Sequence, residues 1–101
     1  MLIEVQEEGR TLTFFLSGDV DHHGVQQIRA AMDARIREAR PVTVVMELSQ
    51  TQFMDSSGLG LILGRARTCE TLGANLMLKN ASARVKLMLD MAGARQYLQY
   101  A

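Results

Sequence analysis

The run Val42-Thr43-Val44-Val45-Met46-Glu47-Leu48 constrains the fold of this chain more than any other stretch. It is short, almost continuously apolar and rich in β-branched residues, which favours a strand over a helix. It lacks the in–out alternation of a half-exposed strand, so it is expected at the centre of a sheet with both faces covered. Pro41 directly precedes it and stops the helical pattern upstream, because proline disfavours helical backbone in the residue before it. The rest of the chain must supply the flanking strands and the covering helices. With 101 residues there is enough chain for one domain and one core. No linker, repeat or low-complexity segment divides it, so a single domain over residues 1–101 is expected.

Residues 2–7 alternate as a short strand, and Glu8-Gly9-Arg10 reads as a turn. Residues 11–17 place Leu12, Phe14 and Leu16 on one face and Thr11, Thr13, Phe15 and Ser17 on the other, a half-buried strand in a hairpin with the first. From residue 24 to 39, Val25, Ile28, Met32 and Ile36 recur at helical spacing, with Gln26, Gln27, Arg29, Asp33, Arg35 and Arg37 on the opposite face. Residues 58–72 carry the stripe Leu59, Ile62, Leu63, Ala66 and Cys69, and Gly73 ends that helix. A short strand over 75–79, a third helix over 83–91 with Gly93 just past its end, and a last strand over 97–100 complete the order ββαβαβα(β). Strands alternating with helices predict an α/β fold, a mixed sheet of four to five strands with helices packed on it. The crossovers into residues 42–48 and 75–79 are expected to be right-handed parallel units. Binding loops in such sheets lie at the C-terminal ends of the strands, which is where the segment after residue 48 falls.

That segment holds Met54-Asp55-Ser56-Ser57-Gly58-Leu59-Gly60 at a strand-to-helix junction. Asp and Ser cap free backbone N–H groups at helix starts, and glycine lets the chain turn tightly. A cap needs one such residue and this loop offers three, two of them hydroxyls at the positive end of a helix dipole, where a phosphate is tolerated. One of the serines is therefore read as a reversible switch in a protein that works by binding a partner. Catalytic readings fit less well. A Gly-x-Ser-x-Gly elbow needs Gly where Met54 stands, and its base would have to be His22 or His23, the two histidines of the chain. Gly58, Gly60 and Gly64 are spaced one residue too far for a dinucleotide fingerprint, and no Lys-Ser/Thr follows. They are expected to let the helix approach the sheet. Asp19-Val20-Asp21-His22-His23 has metal-ligand chemistry, but a metalloenzyme needs three or more ligands with outer support, so a loop in which Asp21 or a neighbour caps the following helix is preferred. No metal and no cofactor are expected.

Composition narrows the partners. A formal net charge of zero, with 22% charged residues, lacks the basic footprint of a nucleic-acid binder. The acidic, alternating start has neither the basic nor the apolar region of a signal peptide, and no apolar run approaches the roughly 20 residues of a membrane span. Cys69, the single cysteine, permits no internal disulfide and sits on an apolar stripe as a buried thiol. A cytoplasmic protein is expected. The seven methionines read as core filling, with Met54, Met77, Met88 and Met91 also suited to an adaptable contact surface. The third helix, with Val85, Leu87, Met88, Leu89 and Met91, is apolar over more than one stripe.

Three segments together resemble one family. Leu16-Ser17-Gly18-Asp19-Val20-Asp21-His22-His23 resembles the loop after the second strand in STAS-family anti-sigma factor antagonists. Residues 53–65, with Met54-Asp55-Ser56-Ser57-Gly58-Leu59-Gly60 at their heart, are similar to that family's phosphorylation-loop signature, and residues 87–93 to its third-helix ending. The likeness spans nearly the whole chain and is nearest the antagonists of sporulation sigma factors. It implies that the unphosphorylated protein binds an anti-sigma factor that is also a serine kinase and so releases the sigma factor. It implies further that this kinase uses ATP to phosphorylate Ser56, which ends the complex, and that a PP2C-type phosphatase restores the active form. Ser57 maps onto the structural neighbour of the modified residue. Asp21, His22, Met54, Asp55, Ser57, Gly58 and Leu59 are the expected partner-binding positions. Members of the family carry a further helix after the last strand; this chain ends before it, which leaves one sheet face less covered and makes a monomer or weak dimer the expectation. The alternatives are a STAS-type phospho-regulated module in a non-sigma signalling or secretion network, and an enzyme built on the serine loop or on Asp21-His22-His23.

Overall fold

The structure is a computed structural model and describes residues 2–101, apart from the Gln52 side chain. Five strands and three α-helices follow in the order β1 (Leu2–Glu8), β2 (Thr11–Val20), α1 (His22–Ala39), β3 (Thr43–Met54), α2 (Ser56–Leu72), β4 (Asn75–Lys79), α3 (Ala83–Met91) and β5 (Gln99–Tyr100), with one 3-10 turn, Arg95–Tyr97, before β5. The expected order holds, but the last strand shrinks to two residues because the chain first coils through that turn. The sheet order is β1-β2-β3-β4-β5. β1 and β2 form the predicted antiparallel hairpin, and β2, β3, β4 and β5 are mutually parallel.

One face of the sheet carries the core. Register aligns Leu12 with Val44 and Leu76, and Phe14 with Met46 and Leu78, in rows across three strands. All three helices bury residues into this single cluster: Val25, Met32 and Ile36 from α1, Leu61, Ile62, Ala66 and Cys69 from α2, Val85 and Leu89 from α3. Extents of 30 × 27 × 20 Å fit one helix layer on one sheet. The expectation that β3 is covered on both faces is therefore corrected. Val44, Met46 and Leu48 face the helices, while Val45, Thr43 and Glu47 belong to the face that carries Thr11, Thr13 and Phe15 of β2 and no helix. Val45 is buried there by its strand neighbours alone.

β3 also runs further than its apolar run. It extends to Met54 because β2 itself runs on to Val20 and gives it a partner over its full length. The pairing tolerates this polar extension through two register shifts, between Phe15 and Ser17 and between Gly18 and Asp19. Glu47 pins the first irregularity, accepting from the Ser49 N–H at 2.6 Å and from Asn80 Nδ2 at 2.8 Å. Burial acts to raise its pKa, but these bonds and the Lys79 charge outweigh it and hold the carboxyl below its ordinary range.

Candidate functional site

The long β2–β3 pair fixes the site. Its last register pair is Val20 with Met54, so both strands end side by side, and each leads straight into a helix. The N-termini of α1 and α2 consequently open next to one another at the C-terminal edge of the sheet, the expected place for a binding loop.

Each start has an aspartate cap. Asp21 has extended backbone (φ −114°, ψ 174°), and its carboxylate accepts from the Gly24 N–H at 3.0 Å. Asp21 is thus the cap, as one of the expected candidates, but His22 and His23 are the first turn of α1 and not loop residues as expected, because the helix starts two positions before Gly24, where the apolar pattern placed its beginning. Asp55 is likewise extended (φ −97°, ψ −169°); its carboxylate accepts from Ser57 N–H at 2.8 Å and Gly58 N–H at 3.1 Å, and its carbonyl accepts from Leu59 N–H at 3.1 Å. With Asp55 acting as the cap, neither serine is needed for that task. Ser56 is the first residue of α2 and is exposed; Ser57 is the second and is half-buried.

Gly58 is buried where α2 crosses the strand ends. A Cβ there would run into the Met54 side chain and lie 3.0 Å from Val20 Cγ1 and 3.1 Å from the Val20 carbonyl oxygen. The expected close approach of helix and sheet is therefore made by Gly58 alone, since a Cβ at Gly60 or Gly64 would meet open space. Met54 and Gly58, two of the expected partner-binding positions, are both buried and shape the loop from beneath. The outward surface is Asp21, His22 and Ser56, with half-buried Asp55, Ser57 and Leu59.

The two helix starts touch through side chains. Ser57 Oγ and His22 Nδ1 lie 3.3 Å apart, and His23 turns the other way, its Nε2 3.3 Å from Gln27 Nε2. A serine beside an imidazole has the first element of a hydrolytic triad, but the acid that would orient the ring, Asp21, is engaged by the Gly24 N–H. Among the described residues no cluster of three or more His, Cys, Asp and Glu could hold a metal ion, and no helix is long and apolar enough to cross a membrane.

Below this contact runs a cleft of about 320 Å³ between α1 and α2, lined by His22, Gln26, Arg29, Ser57, Gly60 and Arg65 among others. It is closed at depth by a charged tie that sequence reasoning missed. Arg65 Nε lies 2.8 Å from Asp33 Oδ1, Arg65 Nη2 donates to Asp33 Oδ2 at 3.2 Å, and Thr68 Oγ1 donates to Asp33 Oδ1 at 2.9 Å. Arg65 is only 6% exposed. Burial lowers its pKa, and the Asp33 carboxylate acts against that, keeping the guanidinium paired. The signal was present in the sequence: Arg65 follows Ile62 by three and precedes Cys69 by four, which puts a cation on the apolar stripe, where it requires a buried acid. The stripe itself is rotated from the expected one, with Leu61 and Arg65 buried and Leu59 and Leu63 at its margin, because α1 as well as the sheet covers α2.

Comparison with known proteins agrees with this geometry. The STAS domain family model matches residues 3–100. An anti-sigma F factor antagonist of Lysinibacillus sphaericus is 39% identical over 83 residues, covering 82% of this chain and 71% of that protein. The structure of the anti-sigma factor antagonist SpoIIAA in its unphosphorylated form superposes with a TM-score of 0.82 at 30% identity, covering 99% of this chain and 87% of that one. The Bacillus cell fate determinant SpoIIAA in its phosphorylated form gives 0.80 at 32% identity, covering 99% and 91%. The family match over nearly the whole chain and the shared fold together show that this chain belongs to the STAS domain family.

Proposed function

We propose that this chain is an anti-sigma factor antagonist: unphosphorylated, it binds an anti-sigma factor that is also a serine kinase and so frees the sigma factor, and phosphorylation of Ser56 ends the interaction. The carrying observation is Ser56 itself, exposed at the first position of α2 while Asp55 satisfies the N–H groups behind it. Its hydroxyl is presented to a partner and is not required for the cap. The relatives named as anti-sigma factor antagonists, one of them solved in a phosphorylated form, support the same reading.

The geometry makes the switch electrostatic. A phosphoserine adds about −1.5 to −2 charges at neutral pH. In the free protein that charge sits at the positive end of α2 and close to that of α1. Against a partner whose nucleotide site already holds phosphates and carboxylates, the same charge is repelled, and Asp55 next to it sharpens the repulsion. The surface pressed to the partner is the outward one, Asp21, His22, Asp55, Ser57 and Leu59 around Ser56, shaped by Met54 and Gly58. A PP2C-type phosphatase resets the switch, and the exchange takes place in the cytoplasm; the chain acts by binding and carries no catalysis of its own.

Intact-mass spectrometry with site mapping, after incubation with ATP and a serine-kinase anti-sigma factor, tests this directly. One added phosphate on Ser56, absent from Ser56→Ala, together with binding that is lost on phosphorylation, is the expected result. Binding that persists equally in Ser56→Ala, Ser56→Asp and the phosphorylated protein removes the switch.

A further inference from the structure

We propose that His22 decides which of the two adjacent serines accepts the phosphoryl group, by holding the Ser57 hydroxyl toward α1 and leaving Ser56 as the acceptor. The inference rests on the reading of Ser56 as a kinase substrate and adds the residue that makes the choice. Chemically the two serines are alike, and both follow Asp55 within one turn of helix. A kinase that reaches one reaches the other unless the fold separates them.

The fold does so in two ways. Successive helical residues point about 100° apart, so with Ser56 facing solvent Ser57 turns into the α1–α2 cleft, where it is half-buried. There its Oγ meets His22 Nδ1 at 3.3 Å, the one hydrogen bond of the His22 ring among the described residues. With the neutral ring carrying its proton on Nε2, the serine hydroxyl donates to Nδ1; with the ring protonated, Nδ1–H donates to an Oγ lone pair. In both states the Ser57 oxygen is engaged. Phosphoryl transfer needs that oxygen turned in line with the γ-phosphorus of ATP: it forms the bond to phosphorus as the bond to the bridging oxygen breaks, ADP departs, and the hydroxyl proton passes to a base of the kinase. Ser57 must first leave His22 and rotate out of the cleft, and Ser56 needs neither step. One hydrogen bond of ordinary strength corresponds to about a tenfold difference in rate.

The test maps phosphate between the serines in the full chain, using ATP and a serine-kinase anti-sigma factor. Wild type is expected to carry phosphate on Ser56. His22→Ala is expected to raise occupancy of Ser57 by about tenfold, and His22→Gln, which restores a hydrogen-bonding group, to return it toward wild type. In the Ser56→Ala background, Ser57 should gain phosphate about tenfold faster when His22→Ala is also present. His22 is exposed at the helix start, so an unchanged circular dichroism spectrum certifies the fold of these variants. Phosphate confined to Ser56 in His22→Ala overturns the inference, as does a His22→Ala protein that the kinase no longer modifies at all. A wild type that gains no phosphate overturns the reading of the serine loop and this inference with it, whereas Ser56 modification with an unaltered His22→Ala pattern removes the inference alone.

Discussion

At the scale of single residues, the shape of the site is set by buried positions beneath the serine loop. Gly58 lets α2 pass over Val20 and Met54, and the Val20 carbonyl oxygen that a Cβ would meet at 3.1 Å is backbone that cannot swing aside. Gly58→Ala is therefore expected to lose about 1–3 kcal/mol of stability by overpacking, measured by urea unfolding, while Gly60→Ala, facing open space, keeps or gains stability through helix propensity. Equal effects at the two glycines would show that close approach is not what Gly58 provides. Cys69, 1% exposed on the underside of α2, gives a pH signature. Burial pushes its thiol up from 9.0 to about 11, with Arg65 pulling the other way. Its folded-state pKa is raised, so the stability it contributes is fully present below pH 9.0, where the unfolded thiol still holds its proton, and is lost as pH rises through about 11. Urea midpoints followed from pH 8 to 11 should fall in that window, and Cys69→Ala should flatten the fall. A thiol-specific reagent should react with native Cys69 only slowly, since the thiolate is its nucleophile.

At the scale of elements, the tie between α1 and α2 determines where the two helix starts stand relative to each other. Arg65, Asp33 and Thr68 form a partly buried network, and removing one charge leaves the other without a partner. Asp33→Ala is expected to cost about 3 kcal/mol, while the double variant Asp33→Leu/Arg65→Leu, which replaces the pair by apolar volume, costs less than Asp33→Ala alone. Additive losses in that cycle would make the pair a surface bridge of little consequence. These elements also show what the sequence discloses and what it hides. The hairpin, the three helices and the serine loop were legible because each rests on local signals: alternation in residues 11–17, 3.6-residue spacing from Val25 to Ile36, and Asp and Gly at helix ends. Ser49, Gln50 and Thr51 give no strand signal, and they are strand only because β2 runs beside them. The Ser57–His22 and Arg65–Asp33 contacts join residues separated by 35 and 32 positions in the chain, which no window of local pattern can bring together. Val45 looked like a doubly covered core residue because an apolar side chain packed only by its strand neighbours has the same sequence signature as one under a helix.

At the scale of the whole molecule, one helix layer on one sheet makes the serine loop a rigid edge and not a lid. Asp55 satisfies the first N–H groups of α2, Gly58 seats the helix on Val20 and Met54, and β3 enters the loop with a paired partner up to its last residue. None of these supports involves the Ser56 hydroxyl, so a charge added there has nothing to break. It meets the α2 dipole, worth about 0.3–1 kcal/mol in its favour, and the Asp55 carboxylate, which opposes it. The two effects are of similar size and opposite sign, and the free protein should barely register the modification. Ser56→Asp and the phosphorylated protein are thus expected to unfold within about 1 kcal/mol of wild type, with superimposable far-UV spectra and the same hydrogen-exchange protection along β3 and α2. In the same samples, affinity for a serine-kinase anti-sigma factor should fall at least tenfold, and raising the salt concentration should narrow the gap because the repulsion is screened. A marked loss of protection in α2 on phosphorylation would replace this mechanism with one in which the charge melts the helix start, and a salt-independent loss of affinity would locate the effect in shape and not in charge.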